Sequence, residues 1–292
     1  MKVAGILTHQ QSTSYNDLPE VRYHFPVNYL KRVEAILSEG GLIAYYEPGR
    51  SSVGEGVRRG RRAYVALARI TGISEDPDAP GTRYYANVAD YLAFDEPVPL
   101  EVGGVLFEGR AQPLRRTGYG TYFRSAVRLI DMPDFERILQ AGFKAAREPW
   151  EESASEAPEL RDPLRVVTTR SFRERRFRRQ VLDAYDCTCA FTGLRILNGK
   201  GRPEVQAAHI RPVELRGPDS VRNGLPVSGT IHFLLDRGLL GIGPGNEVLV
   251  SGADVPEAIR RLLRPQLILP SNPHAVPARA FVDYHRKAIF KP

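Results

Sequence analysis

The spacing of hydrophobic and polar residues changes near the middle of the chain. In the first half, short β-branched and aromatic runs predict strands at residues 42–46 and 62–71, with shorter candidates at 105–107 and around Tyr122 and Phe123. Helical spacing at residues 28–38 and 134–141 predicts two helices among these strands. We therefore expect a small, strongly curved β domain with flanking helices.

The second half predicts a different order of elements. A helix at residues 171–185 is followed by a short strand at 205–210, a polar loop at 212–223 and a short helix at 230–237. Residues 147–164 are acidic, contain proline and lack apolar periodicity, which is typical of a linker. The sequence thus predicts an α+β protein with domains at residues 1–146 and 165–292, joined by a linker at 147–164.

Charge is distributed unevenly between these halves. Residues 1–160 hold 19 Lys and Arg against 22 Asp and Glu, whereas residues 161–292 hold 22 against 12, a net charge of +10. Such a basic half suits a polyanion, most simply nucleic acid, although a solvated basic surface or a compositional bias toward Arg would give the same count. The predicted phosphate contacts are Arg173, Arg176, Arg179 and Arg211.

Composition bears on the cellular location of the protein and on the use of its cysteines. The chain has no apolar stretch near the ~20 residues that a membrane span needs, and its N-terminal residues lack the apolar core of a signal peptide. Its two cysteines, Cys187 and Cys189, are too few for a disulfide framework or a four-cysteine zinc site. We expect a cytoplasmic protein with no membrane partner.

One constellation in the second half is chemically distinctive. His209 lies in the predicted strand, Asn223 ends the polar loop, and His232 lies on the short helix. Asp236 follows His232 by four residues, so both side chains share one helix face and are plausible as a pair of metal ligands. The surrounding sequence reads Cys-Ala-Phe-Thr-Gly, Ala-Ala-His-Ile-Arg-Pro, Asn-Gly-Leu and His-Phe-Leu-Leu-Asp-Arg-Gly-Leu.

In order and spacing these residues resemble the HNH nuclease family, whose fold is the ββα-metal finger; the resemblance covers residues 165–287. It implies that His209 is the general base that activates water and that Asn223 fixes the loop presenting it. It also implies that His232, with Asp236, holds a divalent metal ion, and such a mixed donor set suits Mg²⁺, Mn²⁺ or another first-row ion.

The chain departs from the common HNH pattern at two places. Many members have Asp or His just before the general base as a further metal ligand, but here that residue is Ala208. Waters and substrate phosphate would then complete the metal shell. Many members also brace the finger with two Cys-x2-Cys pairs around zinc, and this chain has only Cys187-Thr-Cys189. No structural zinc is expected, and Cys189 is interpreted as a small buried hydrophobe.

The first half resembles the EVE-like domains of the PUA superfamily through Tyr-His-Phe-Pro, Gly-Leu-Ile-Ala-Tyr-Tyr-Glu-Pro, Gly-Arg-Arg-Ala-Tyr and Tyr-Tyr-Ala. This resemblance implies recognition of a modified base, with 5-methylcytosine or 5-hydroxymethylcytosine expected. Such a group is best sensed when the base is flipped out and stacked between aromatic rings. Tyr23 and Tyr46, beside turns containing Gly or Pro, are the favoured residues for this pocket.

Together the two resemblances imply a modification-dependent, type IV-like restriction endonuclease acting on double-stranded DNA that contains modified cytosine. One finger cuts one strand, so a double-strand break needs a homodimer or successive binding. Two alternatives stay open at this point. The protein would be a non-catalytic reader of modified DNA if the finger only bound phosphate, or an RNA-directed nuclease if the first domain bound RNA.

Overall fold

A computed structural model describes residues 3–9, 17–53, 56–116, 120–143, 170–199, 201–252 and 255–292. The chain forms two compact units, and among the described residues the first ends at Phe143 and the second begins at Arg170. The predicted linker at 147–164 lies outside the described residues. Both units mix helices and strands, so the predicted α+β class is confirmed.

A curled six-stranded sheet forms the first unit, with the strand order β10-β1-β3-β6-β7-β2. Its strands are β1 (Val3–Thr8), β2 (Arg22–Pro26), β3 (Leu42–Glu47), β6 (Ala63–Glu75), β7 (Arg83–Pro99) and β10 (Val127–Asp131). The β1–β3 pair is parallel, and the other four pairs are antiparallel. Three register shifts between β6 and β7 mark the irregularities that let two such long strands bend.

Two short hairpins and three helices complete this unit. The hairpins pair β4 (Arg50–Val53) with β5 (Gly56–Arg59) and β8 (Glu101–Val102) with β9 (Val105–Leu106). The helices are α1 (Leu30–Ser38), α2 (Gly120–Arg124) and α3 (Met132–Gly142), with 3-10 turns at Val27–Tyr29 and Gly109–Arg116. A Cβ on Gly5 of β1 would overlap Ile36 of α1, so this glycine allows the helix to lie close to the sheet.

The predicted strands at 42–46 and 62–71 and both predicted helices of this half are confirmed. The strand expected around Tyr122 and Phe123 is wrong, because both residues lie in α2. The Tyr122 hydroxyl donates to Glu108 Oε2 over 2.9 Å, and the Phe123 ring packs against Tyr46 with centroids 6.2 Å apart. Tertiary contacts of this kind override the local β propensity of two adjacent aromatic residues.

The second unit is built around a ββα arrangement. Strands β11 (Gln206–His209) and β12 (Gly224–Val227) pair antiparallel, with His209 opposite Gly224, and α5 (Gly229–Asp236) follows directly. Further elements are α4 (Arg170–Ala184), β13 (Leu240–Ile242), β14 (Val248–Val250), α6 (Glu257–Arg260), α7 (Arg279–Ala288) and 3-10 turns at Val213–Leu215, Val221–Asn223 and Pro273–Ala275. The helices and the strand predicted from the sequence for this half are therefore confirmed.

Glycine lets α4 lie directly on the hairpin that carries His209. A Cβ on Gly224 would overlap Val181 Cγ2 and lie 2.8 Å from Phe177 Cε2, both on α4. Phe177, Val181 and Leu182 are buried, so the apolar side of this very basic helix covers the strands. Among the described residues, no helix is long and apolar enough to cross a membrane.

Candidate active site

His209 stands at the end of β11, where two neighbours fix its imidazole ring. The ring lies parallel to that of Phe177, with centroids 3.9 Å apart and planes inclined by 10°. On its edge, Nε2 lies 3.0 Å from Asp219 Oδ1. The side chain is 19% exposed, so the imidazole is held firmly and still reaches solvent.

Asp219 determines which imidazole nitrogen is left to act as a base. A carboxylate accepts hydrogen bonds, so the neutral imidazole that best satisfies this contact carries its proton on Nε2 and its lone pair on Nδ1. Arg173 Nε lies 3.9 Å from the other carboxylate oxygen. The sequence assigned Asp219 no role; its one local signal is an acidic side chain four residues before Asn223 in the polar loop.

Asn223 is fully buried and ties the two ends of that loop together. Its Oδ1 accepts from the Arg211 backbone N–H over 2.9 Å, and its Nδ2 donates to the backbone oxygens of Arg211 and Pro218, each over 3.0 Å. The backbone oxygen of Asn223 also accepts from the N–H of Ile210, next to His209. This amide therefore sets the path of the chain on both sides of the loop.

His232 and Asp236 lie on the exposed side of α5, as their spacing predicts. His232 Nε2 is 3.5 Å from Asp236 Oδ2, and the two side chains are 29% and 56% exposed. On the other side of the ring, Nδ1 lies 3.2 Å from Gln206 Oε1 on β11. Ser228 caps the helix, since its side-chain oxygen accepts from the N–H of Ile231.

The donor set on α5 suits a hard divalent cation with an incomplete protein shell. An imidazole nitrogen and a carboxylate oxygen stand side by side and face solvent, and Gln206 can orient the ring from its far edge, as partners of metal-bound imidazoles do. Ala208 is buried and offers no ligand. Within the described residues no group of three or more His, Cys, Asp and Glu side chains has a metal-binding arrangement. A cation held by His232 and Asp236 would need further ligands from waters or substrate.

The four arginines proposed to contact phosphate differ in their surroundings. Arg179 is on the surface, with Nε 3.5 Å from Asp183, whereas Arg176 is only 8% exposed. Arg176 thus lies on the packed side of α4, and its contact with phosphate stays a prediction. Arg211 Nε donates to the Leu215 oxygen over 2.7 Å, and its guanidinium stands over the Tyr284 ring at 4.6 Å.

In the first unit, Tyr23 and Tyr46 are both 3% exposed. The Tyr23 hydroxyl donates to the backbone oxygens of Thr8 and Ala126. The guanidinium of Arg128 lies over the Tyr46 ring, 5.1 Å from the ring centroid. Burial raises the pKa of the Tyr46 hydroxyl. Both rings are covered by protein, so a base would stack on either one only after a rearrangement. The pocket proposed around them stays a prediction.

The cysteines lie apart from this chemistry. Cys189 is buried, in line with its interpretation as a small hydrophobe, and Cys187 is half-buried; both are free thiols. Burial raises the pKa of the Cys187 thiol above its ordinary value. A raised pKa favours the protonated thiol, which is a poor metal ligand and a poor nucleophile.

Comparison with known proteins identifies the chemistry of the second unit. The model of the HNH endonuclease family matches residues 189–243, which contain His209, Asn223 and His232. The chain therefore carries an HNH endonuclease domain and is a nuclease. No curated protein matches the chain.

Two solved structures resemble the chain at low identity. The "Modification dependent TagI restriction endonuclease" is 15% identical with a TM-score of 0.32, over 97% of this chain and 80% of that chain. The "Type IV phosphorothioation-dependent restriction endonuclease ScoMcrA" is 14% identical with a TM-score of 0.21, over 78% of this chain and 49% of that chain. Neither likeness establishes a substrate for this chain.

Proposed function

We propose that this nuclease is a modification-dependent restriction endonuclease that hydrolyses double-stranded DNA containing 5-methylcytosine or 5-hydroxymethylcytosine. The observation that carries the catalytic part is the contact between His209 Nε2 and Asp219 Oδ1 within a ββα unit that also bears His232. A base oriented by a carboxylate, next to a helix with exposed metal-type donors, suits phosphodiester hydrolysis better than passive phosphate binding.

His209 acts as the general base in this proposal. Nδ1 removes a proton from the attacking water, and the carboxylate of Asp219 stabilises the imidazolium that forms. Stacking on Phe177 keeps the ring from rotating away from this position. Asn223 acts as a positioning residue, since it holds the backbone that follows His209.

His232 and Asp236 bind the divalent ion, with Mg²⁺ or Mn²⁺ as the candidates. Such an ion, when bound, stabilises the charge that develops on the phosphate and the leaving oxygen. Gln206 contacts Nδ1 of His232 and so leaves Nε2, on the side of Asp236, for the ion. The small number of protein ligands predicts modest metal affinity without DNA and tighter binding with it.

The first domain selects the DNA. Support for this part comes from the sequence resemblance to EVE-like domains, and the curled sheet of the first unit is compatible with it. Recognition by base flipping would give a preference for modified cytosine that an HNH finger alone lacks. Double-strand cleavage would then arise from a homodimer or from two successive nicks.

Cleavage of matched plasmids tests the whole proposal. Unmodified, 5-methylcytosine and 5-hydroxymethylcytosine plasmids are incubated with Mg²⁺ or Mn²⁺ and either the wild type or His209→Ala, with an RNA of the same sequence as a further substrate. We expect the wild type to cut modified DNA and the variant to be at least 100-fold slower.

Equal cleavage of all plasmids would remove the modified-base part and leave the nuclease part intact. Preferential cleavage of the RNA would favour the RNA-directed alternative. Binding of modified DNA with no cleavage by the wild type under any metal would favour the non-catalytic reader. Nicked circles that appear before linear DNA would indicate successive cuts, whereas direct linearisation would indicate a dimer.

A further inference from the structure

Phe233 is an exposed aromatic residue on the helix that carries the metal-type donors. It is 58% exposed, whereas its neighbours Ile231, Leu234 and Leu235 on α5 are buried. Single apolar residues on a surface are ordinary. Aromatic residues and Arg are nevertheless enriched in binding surfaces, and here both types occur together. The helix already has its apolar side, so packing within this unit does not require the ring.

Arg237 follows Phe233 by four residues, just as Asp236 follows His232. Its guanidinium stands 5.7 Å from the Phe233 ring centroid, one helical turn further along. The exposed side of α5 therefore presents two pairs of side chains. His232 and Asp236 carry donor atoms that suit a metal ion, and Phe233 and Arg237 provide an aromatic ring and a cation. Adjacent positions of a helix point about 100° apart, so the two pairs form neighbouring strips on the same exposed side of α5.

An aromatic ring with a guanidinium beside it fits a nucleotide. Bases stack on aromatic side chains whatever their sequence, and Arg binds phosphate oxygens in a bidentate manner. A DNA strand with its phosphate at His232 and Asp236 would bring its next base and next phosphate to this second pair. The net charge of +10 on residues 161–292 supports a polyanion over an apolar protein surface as the occupant.

We propose that Phe233 stacks on the nucleotide that flanks the scissile phosphate and that Arg237 contacts the neighbouring phosphate. This inference rests on the proposed function only in taking His232 and Asp236 as the residues nearest the scissile phosphate. In this proposal, α5 contacts the DNA strand as well as the metal ion. It also identifies a determinant of substrate position within the nuclease domain itself.

DNA binding by cleavage-deficient protein tests the inference without depending on catalysis or modification. Full-length His209→Ala is titrated in Mg²⁺ with fluorescent single-stranded and duplex oligonucleotides, each prepared without modification, with 5-methylcytosine and with 5-hydroxymethylcytosine. Adding Phe233→Ala should weaken binding about 5- to 150-fold, the range that loss of one stacked base produces. Phe233→Trp should retain binding, and Phe233→Leu, which is apolar but has no ring, should lose most of it.

Two further variants sharpen this result. Leu262→Ala removes another exposed apolar side chain of the second unit, 48% exposed, and should leave DNA binding unchanged. Arg237→Gln should lower the slope of log Kd against log salt by about 1, as loss of one phosphate contact does.

Unchanged binding by Phe233→Ala would overturn the inference while leaving the nuclease proposal standing. A lower melting temperature or an altered molar mass, with unchanged DNA binding, would instead assign the ring to a protein contact. Absence of DNA binding by the His209→Ala parent itself would count against the proposed function, so the two failures are distinguishable.

Discussion

The Asn223 side chain forms two hydrogen bonds with the backbone of Arg211. Its Oδ1 accepts from the N–H, and its Nδ2 donates to the carbonyl oxygen of the same residue. A third hydrogen bond reaches the carbonyl oxygen of Pro218. One buried amide thereby closes the loop of twelve residues that follows the strand of His209. The middle residue of the motif thus has its effect through the backbone.

Replacing Asn223 with Ala should disorder this loop and abolish most of the activity. The three backbone groups lose their partner, at about 1–3 kcal/mol for each buried group left unsatisfied. Urea unfolding and steady-state cleavage rates measure the two effects. Asn223→Asp keeps the acceptor and loses the two donated bonds, so a variant as stable and active as the wild type would contradict this account.

Asp219→Asn should lower kcat about 10- to 100-fold with little change in KM, because Asp219 orients His209 without touching substrate. Single-turnover cleavage at saturating enzyme reports the chemical step. Asp186→Asn makes the same change at an exposed carboxylate of the second unit, which pairs with Arg195, and serves as the matched control. A rise in KM alone would assign Asp219 to DNA binding.

Gly224→Ala should damage stability and activity together. The added Cβ would overlap Val181 Cγ2 and press on Phe177, whose ring stacks on His209. Overpacking of this kind costs about 1–3 kcal/mol, which a thermal melt detects. Because Val181→Ala opens the space, the double variant should recover stability; failure to recover would show that α4 does not press on β12 at this point.

The second unit should lose stability as the pH falls below about 6.5. His285 on α7 is buried against α5, its Nε2 donates to the Leu235 oxygen over 3.2 Å, and burial lowers its pKa. A His with a lowered pKa takes up its proton more readily in the unfolded chain. Its favourable contribution is therefore complete above the unfolded pKa of 6.5 and is lost as the pH falls from there through the lower pKa of the folded state.

Measurement of unfolding free energy from pH 8 to pH 5 checks this dependence. His285→Gln keeps a donor and removes the titrating group, so its stability should depend less on pH than that of the wild type. Burial also lowers the pKa of His24 in the first unit, and this residue is present in both proteins, so the difference between them isolates His285. Identical pH profiles would refute the assignment.

Arg128→Met should destabilise the first unit by about 3–5 kcal/mol. Arg128 and Glu108 form a buried ion pair, with Nη2 and Oε1 2.8 Å apart and side chains 2% and 0% exposed. The variant leaves the Glu108 carboxylate in the core without its cation, while the hydroxyls of Tyr64 and Tyr122 still donate to it. Chemical unfolding measures the loss, and Arg128→Met with Glu108→Gln should regain part of it.

The sequence alone determined the elements of the nuclease finger and the residue types in it. His232 and Asp236 lie four residues apart on one helix, and His209 lies on a short strand before the polar loop that ends at Asn223. These are short-range relationships, and the periods of helix and strand fix them before any long-range packing is considered. The same periodicity predicted α4, β3 and most of β6, but not β7.

Only the tertiary structure decided which side chains act on these residues and which of them are covered. Phe177, on α4, lies more than thirty residues before His209 in the sequence. Asp219 reaches the His209 ring because the polar loop folds back. Periodicity assigns a residue to a face, but what covers that face depends on contacts between distant segments. For the same reason Arg176, Tyr23 and Tyr46, each plausible at a surface, lie buried in the folded protein.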